Sequence, residues 1–389
     1  MSIRYRWRAG CIRRRLQLAR YWQSKGDLDE AVGHGRRALR LARAASSGPT
    51  LLDAEAALTV AGIELDRAEY PAATAHLADA ARWLEQIPET AERDRLLARV
   101  LVALADCHRR TGDYWQAEHA LGRARPLAEA AGGALPAAVL TQLGITAKEL
   151  GAFDRAAQQY ARLRQLYDET GATPAEFAAL SHNLAGLAHA RGDYLDAETH
   201  ARRAVDTRRS GSHTNPVDLA QDLAVLAAAL AGQDRHEEAR TLLHEALAIC
   251  RAARPPRQYE IAVQLHNLAA IEQTLGDTDT AERHYRQALT IKERLLGSEH
   301  PEIALLTNNL ATLLHQQERH AEAVAYQHRA LSIATRTFAP EHPVVVAIRR
   351  NLAGTDADHL LQQTSPSDVT ETSTALGQPA RAVGDQLCP

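Results

Sequence analysis

The sequence predicts an all-α chain: a right-handed superhelical solenoid of about eight helix-turn-helix repeats, closed by a C-terminal capping helix. Three observations carry this expectation. A turn position recurs at Gly26, Ala68, Gly112, Gly151, Gly192, Asp234, Gly276 and Glu318, in steps of 39 to 44 residues. A fixed period between about 20 and 50 residues marks a repeat array. Five residues after every turn stands an alanine (Ala31, Ala73, Ala117, Ala156, Ala197, Ala239, Ala281, Ala323), and seven further on alanine returns in all units but the fourth, which has Leu163. The third observation is helical apolar spacing on both sides of the turn, as in Ile261, Leu265, Leu268 and then Ala281, Tyr285, Ala288, Leu289.

Each element follows from local chemistry. Eight residues before each turn is a large apolar residue, from Leu18 and Val60 to Leu268 and Leu310, followed by Ala or Gly. These small residues mark places where two helix backbones approach closely. Glycine at the turn closes the first helix in the left-handed conformation, and a following Asp suits the start of the second. Proline lies at or just before several first helices (Pro136, Pro174, Pro216, Pro301, Pro343), where its missing N–H costs nothing. Residues 1–12 read as a basic arm, 13–353 as the repeat array and 354–389 as a disordered tail rich in Ser, Thr, Asp, Gln and Pro. Within the array, 343–353 match only a first helix and would cap the last repeat.

Leu-Ala followed by Gly-Asp-Tyr and two spaced alanines, clearest around Arg191-Gly192-Asp193-Tyr194 and Thr111-Gly112-Asp113-Tyr114, resembles the tetratricopeptide repeat. That repeat is usually 34 residues long. The longer period here, with Glu299-His300-Pro301 and Glu341-His342-Pro343 ahead of Asn309-Leu310-Ala311 and Asn351-Leu352-Ala353, resembles the kinesin-light-chain type, which is common in bacterial regulatory and scaffold proteins. The resemblance spans about 13–353.

Composition excludes several classes. Four widely spaced cysteines with no C-x-x-C pair argue against a disulfide framework and a zinc site. There is no apolar run long enough to span a membrane and no apolar secretion signal, so a cytoplasmic protein is expected. Net charge is −3, but residues 1–50 carry twelve basic and three acidic residues, leaving the remainder at −12. A basic end can dock on an anionic partner or serve as a solvated cap. The second is the expectation, and no direct nucleic-acid binding is expected. Gly33-His34-Gly35-Arg36-Arg37-Ala38 matches a dinucleotide fingerprint but falls inside a helix, whereas the fingerprint needs a strand before it. No Walker, G-x-S-x-G or H-E-x-x-H motif occurs. His182 and His266 hold equivalent places two units apart, too far to share a metal. No cofactor and no enzymatic activity are expected.

The better lead is the row on each first helix that points away from the packed seams. It comprises His182, Asn183 and His189; His266, Asn267 and Gln273; Asn308, Asn309, Thr312 and His315; and Arg350 and Asn351. In similar repeats this row lines the concave face, and Asn at the places of Asn183, Asn267, Asn309 and Asn351 grips the backbone of an extended peptide. An amide offers a donor and an acceptor together, which matches a peptide group. The resemblance therefore implies a non-catalytic scaffold holding a protein or peptide segment in a groove. The alternative is a peptide-sensing regulator whose superhelix changes shape on binding.

Overall fold

A computed structural model describes residues 3–44, 48–211, 215–254 and 256–363, with backbone alone for 3–8 and 355–363. All regular structure among the described residues is helical. The chain divides into two compact units at Thr170 and Gly171. The first unit holds α1 (Ile3–Ser24), α2 (Leu28–Arg43), α3 (Leu51–Asp66), α4 (Tyr70–Glu85), α5 (Ala91–Arg110), α6 (Tyr114–Ala131), α7 (Leu135–Glu149) and α8 (Phe153–Thr170). The second holds α9 (Pro174–Ala190), α10 (Tyr194–Ser210), α11 (Pro216–Ala231), α12 (His236–Ala252), α13 (Gln258–Leu275), α14 (Thr278–Leu296), α15 (Pro301–Gln316), α16 (His320–Thr337) and α17 (Pro343–Gln363). Within each unit every helix packs on the next, and each odd-numbered helix also touches the following odd one. Each unit is thus a stack of helix pairs with its own apolar core.

The register read from the turns holds throughout. Gly26, Gly112, Gly151, Gly192 and Gly276 have positive φ, and so do Ala68, Asp234 and Glu318 in the three turns without glycine. The turn geometry is therefore imposed by the packing of the two helices on either side of it, even where the residue resists it. All eight alanines five residues beyond the turns are fully buried. Gly144, the one glycine in the small-residue row, lets α7 approach α8 closely. A Cβ there would lie 2.3 Å from the Tyr160 ring.

The Glu-His-Pro motif is a helix-start device. His300 caps α15 by accepting from the Glu302 N–H at 3.2 Å, and His342 accepts from the Val344 N–H at 3.2 Å. Gly33 to Ala38 lie within α2, as expected. Two boundaries differ. Helix α1 begins at Ile3, so most of the stretch expected as an arm is helical, and Ile12 is buried. Helix α17 runs ten residues past the expected cap, because nothing in Thr355–Gln363 breaks a helix. The rest of the expected tail, 364–389, lies outside the described residues. No described helix is long and apolar enough to cross a membrane.

Candidate functional site

The inner row of the second unit is built by the first helices α9, α13, α15 and α17. Here the structure departs from an open wall of asparagines. Asn267, Asn309 and His266 have no exposed surface, and Asn308 is also buried. Asn309 Nδ2 on α15 donates to His266 Nε2 on α13 at 2.8 Å, which leaves the imidazole proton on Nδ1. Asn351 Nδ2 on α17 donates to Asn308 Oδ1 on α15 at 3.2 Å. Both pairs are 43 residues apart, one more than the repeat. The same offset joins Gln273 to Gln316 at 2.8 Å and the Tyr259 hydroxyl to Glu302 at 2.8 Å. Successive first helices are close enough for an amide on one to reach the polar side chain one position earlier on its predecessor. The row therefore stitches neighbouring repeats together.

The remaining members vary in access. His182 and Asn183 are half-buried, and His182 Nδ1 lies 2.8 Å from Asp222 on α11. His189 is buried, with its ring 5.6 Å from that of Tyr194. Gln273 is half-buried and accepts from the Tyr285 hydroxyl at 3.2 Å. Thr312 bonds to the Asn308 carbonyl of its own helix at 3.1 Å. The half-buried His315 meets His320 with their Nδ1 atoms 2.9 Å apart. Arg350 is exposed and Asn351 half-buried. The reachable part of the row is thus His182, Asn183, Gln273, Thr312, His315, Arg350 and Asn351.

Two buried charge clusters beside this row escaped sequence reasoning. Asp222 on α11 takes both His182 and the Nε of Arg208 (2.5 Å), while Arg208 also reaches Asp218 at 3.1 Å. Lys292, fully buried on α14, places its ammonium 2.8 Å from Glu302, which also accepts from Tyr259. Burial alone would raise the Glu302 pKa, but Lys292 and His300 outweigh it and hold the carboxyl at about 2. Burial, with Lys292 nearby, pushes His266 down to about 3, so its imidazole is neutral at physiological pH. A sequence signal existed for each cluster. Asp222 is an acid at a place that is apolar in most repeats, and Lys292 is one of only three lysines.

Chemically the row offers hydrogen bonds and little else. Among the described residues no three His, Cys, Asp or Glu side chains converge as metal ligands would. Burial pushes the Cys107 and Cys250 thiols up to about 12, where they are not nucleophiles at neutral pH.

Comparison with known proteins fits this picture. The tetratricopeptide repeat family model matches residues 176–252, 218–294, 260–326 and 302–359. No curated protein matches the chain. Among solved structures, the Rap conjugation gene regulator of plasmid pLS20, in complex with the Phr* peptide, is 14% identical with a TM-score of 0.60. The match covers 84% of this chain and 95% of that one. A Rap protein complexed with competence and sporulation factor is 12% identical with a TM-score of 0.59, covering 91% of this chain and 99% of its own. A Podosopora anserina putative kinesin light chain with nearly identical repeats is 23% identical with a TM-score of 0.39, covering 49% and 90%. The two Rap likenesses concern the fold alone.

Proposed function

Because residues 176–359 match the tetratricopeptide repeat family model, we propose that the chain is a non-catalytic module that holds a protein or extended peptide segment along the first-helix row of its second unit. The carrying observation is the run of hydrogen-bonding side chains at equivalent places on α9, α13, α15 and α17. Polar groups this deep cost stability unless they are partnered, and here they partner one another from repeat to repeat. A peptide backbone can exchange with such amide pairs at little net loss, since it supplies the same donor and acceptor. The two Rap structures, which share the fold, are complexes with the Phr* peptide and with competence and sporulation factor. First contact falls to the reachable residues, with Gln273 and Arg350 foremost, and the buried pairs open only as the ligand seats.

A random peptide array probed with the purified chain tests this reading. Peptides recovered by the wild type should lose at least tenfold in affinity with Gln273→Ala plus Arg350→Ala. Undiminished binding of every recovered peptide by this variant and by Asn309→Ala would sink the groove. The second reading, a peptide-sensing regulator, draws on the same amide pairs, because exchanging them for ligand bonds would alter the spacing between repeats. Small-angle scattering of the saturated complex separates the two, since an unchanged radius of gyration leaves no switch.

A further inference from the structure

The first unit contains a set of buried donors that its own packing leaves without acceptors. Tyr160 on α8, nine residues after its turn, is 1% exposed, and its ring lies against α7 at Gly144. The other tyrosine at this place, Tyr285, donates its hydroxyl to Gln273, three residues before the turn, at 3.2 Å. In the Tyr160 pair the residue three before the turn is Lys148, an ammonium that cannot accept. On α5, which touches α7, the same place is Arg109, again a donor only. The Tyr160 hydroxyl is accordingly buried without a hydrogen-bond partner, and so is the Nε–H of Arg109.

These groups lie within electrostatic reach of one another. Burial raises the pKa of the Tyr160 hydroxyl, Glu149 raises it further and Arg109 works against both, so the hydroxyl keeps its proton at neutral pH. Arg109 is fixed by its own helix: its Nη2 donates to Asp106 at 2.7 Å, and Arg110 Nε donates to the second oxygen of that carboxylate at 2.8 Å. Glu149 lies 3.7 Å from the Lys148 ammonium. Arg109, Arg110 and Lys148 thus outnumber Asp106 and Glu149 by one, and His108, whose pKa burial lowers, is uncharged at neutral pH. A buried donor without an acceptor costs stability, and the N–H of a cation costs more than a neutral one.

We propose that Tyr160, Arg109 and Lys148 hold a carboxylate, supplied by an acidic side chain of a bound peptide or by a small organic acid. An ionised carboxylate only accepts, and its two oxygens have room for several donors, which is what the hydroxyl and the Nε–H lack. One negative charge matches the one positive charge in excess, whereas a phosphate dianion would leave the group unbalanced in the other direction. The side chains of Lys148 and Arg109 are 15% and 20% exposed, so a ligand reaches them while Tyr160 itself stays covered. The site lies in the first unit and does not rest on the groove in the second.

The test is calorimetric titration of the full chain with glutarate and with a capped pentapeptide, acetyl-Gly-Gly-Glu-Gly-Gly-amide, beside its glutamine counterpart and inorganic phosphate. Saturable binding of either acid is expected, weakened about tenfold by Tyr160→Phe and by Lys148→Gln. Which of the two acids binds identifies the source of the carboxylate. Tyr160→Phe removes an unpartnered hydroxyl and keeps the ring on Gly144, so its melting temperature without any probe should equal or exceed that of the wild type. A lower one shows that the hydroxyl has a structural partner and overturns the proposal. So does binding of neither acid, equal binding of the glutamine peptide or of phosphate, or unchanged binding by either variant. Gln273→Ala plus Arg350→Ala should bind the acids as the wild type does, so a failure of the groove reading leaves this one standing.

Discussion

Ala68 shows how strongly the packing of each pair dictates its turn. With φ at 59° it adopts a conformation that costs a non-glycine residue about 1–2 kcal/mol. Ala68→Gly should therefore raise stability by about 1 kcal/mol once the extra flexibility of glycine is counted, read as a later midpoint in urea. Gly276→Ala should cost about as much, through backbone strain alone, because nothing lies within 4 Å of its added Cβ. Gly144 is a different case. Gly144→Ala meets the Tyr160 ring and should destabilise by about 1–3 kcal/mol. Adding Tyr160→Leu should recover part of that loss in the same assay. If Gly144→Ala alone unfolds no more easily than wild type, the close approach of α7 and α8 is wrong.

Between elements, the decisive contacts are polar, some 40 to 43 residues apart and others, within the charge clusters, only 10 to 14. Glu302 ties α15 to Lys292 on α14 and Tyr259 on α13. Its carboxyl ionises at about 2 in the folded chain against an ordinary 4.5. The stabilisation it provides is complete above its unfolded value and disappears as pH falls from about 4.5 towards 2. The chain should lose melting temperature over that window, and Glu302→Gln should flatten this part of the profile. An unchanged slope in the variant would show that other carboxylates carry the acid sensitivity. Glu64 acts in the same direction in the first unit: burial raises its pKa, but His76 and Arg36 more than offset this and lower it.

At the level of the whole molecule, each unit has its own apolar core, and in each every helix packs on the next. A fragment of residues 171–363 should therefore fold by itself, with helical circular dichroism and a single cooperative melt. A fragment that stays unfolded would mean the second unit depends on the first. Much of this organisation was legible beforehand. The eight turns, the buried alanines and the helix-starting prolines are read directly, because each is fixed by sterics within a few residues. The site was less legible. Asn267 and Asn309 were expected to face an open groove, yet they have no exposed surface, while Gln273 and Arg350 remain reachable.

By itself, then, the sequence determined that the chain is helical, where each pair turns and which small residues lie in the seams. Backbone conformation and helix periodicity are local, and 42-residue repetition makes them unmistakable. Only the tertiary structure decided that amides of one repeat bond to the preceding one and that His182, Arg208 and Asp222 meet. Those outcomes depend on how far one helix is displaced along its neighbour, and a shift of a single residue along the stack changes which side chains touch.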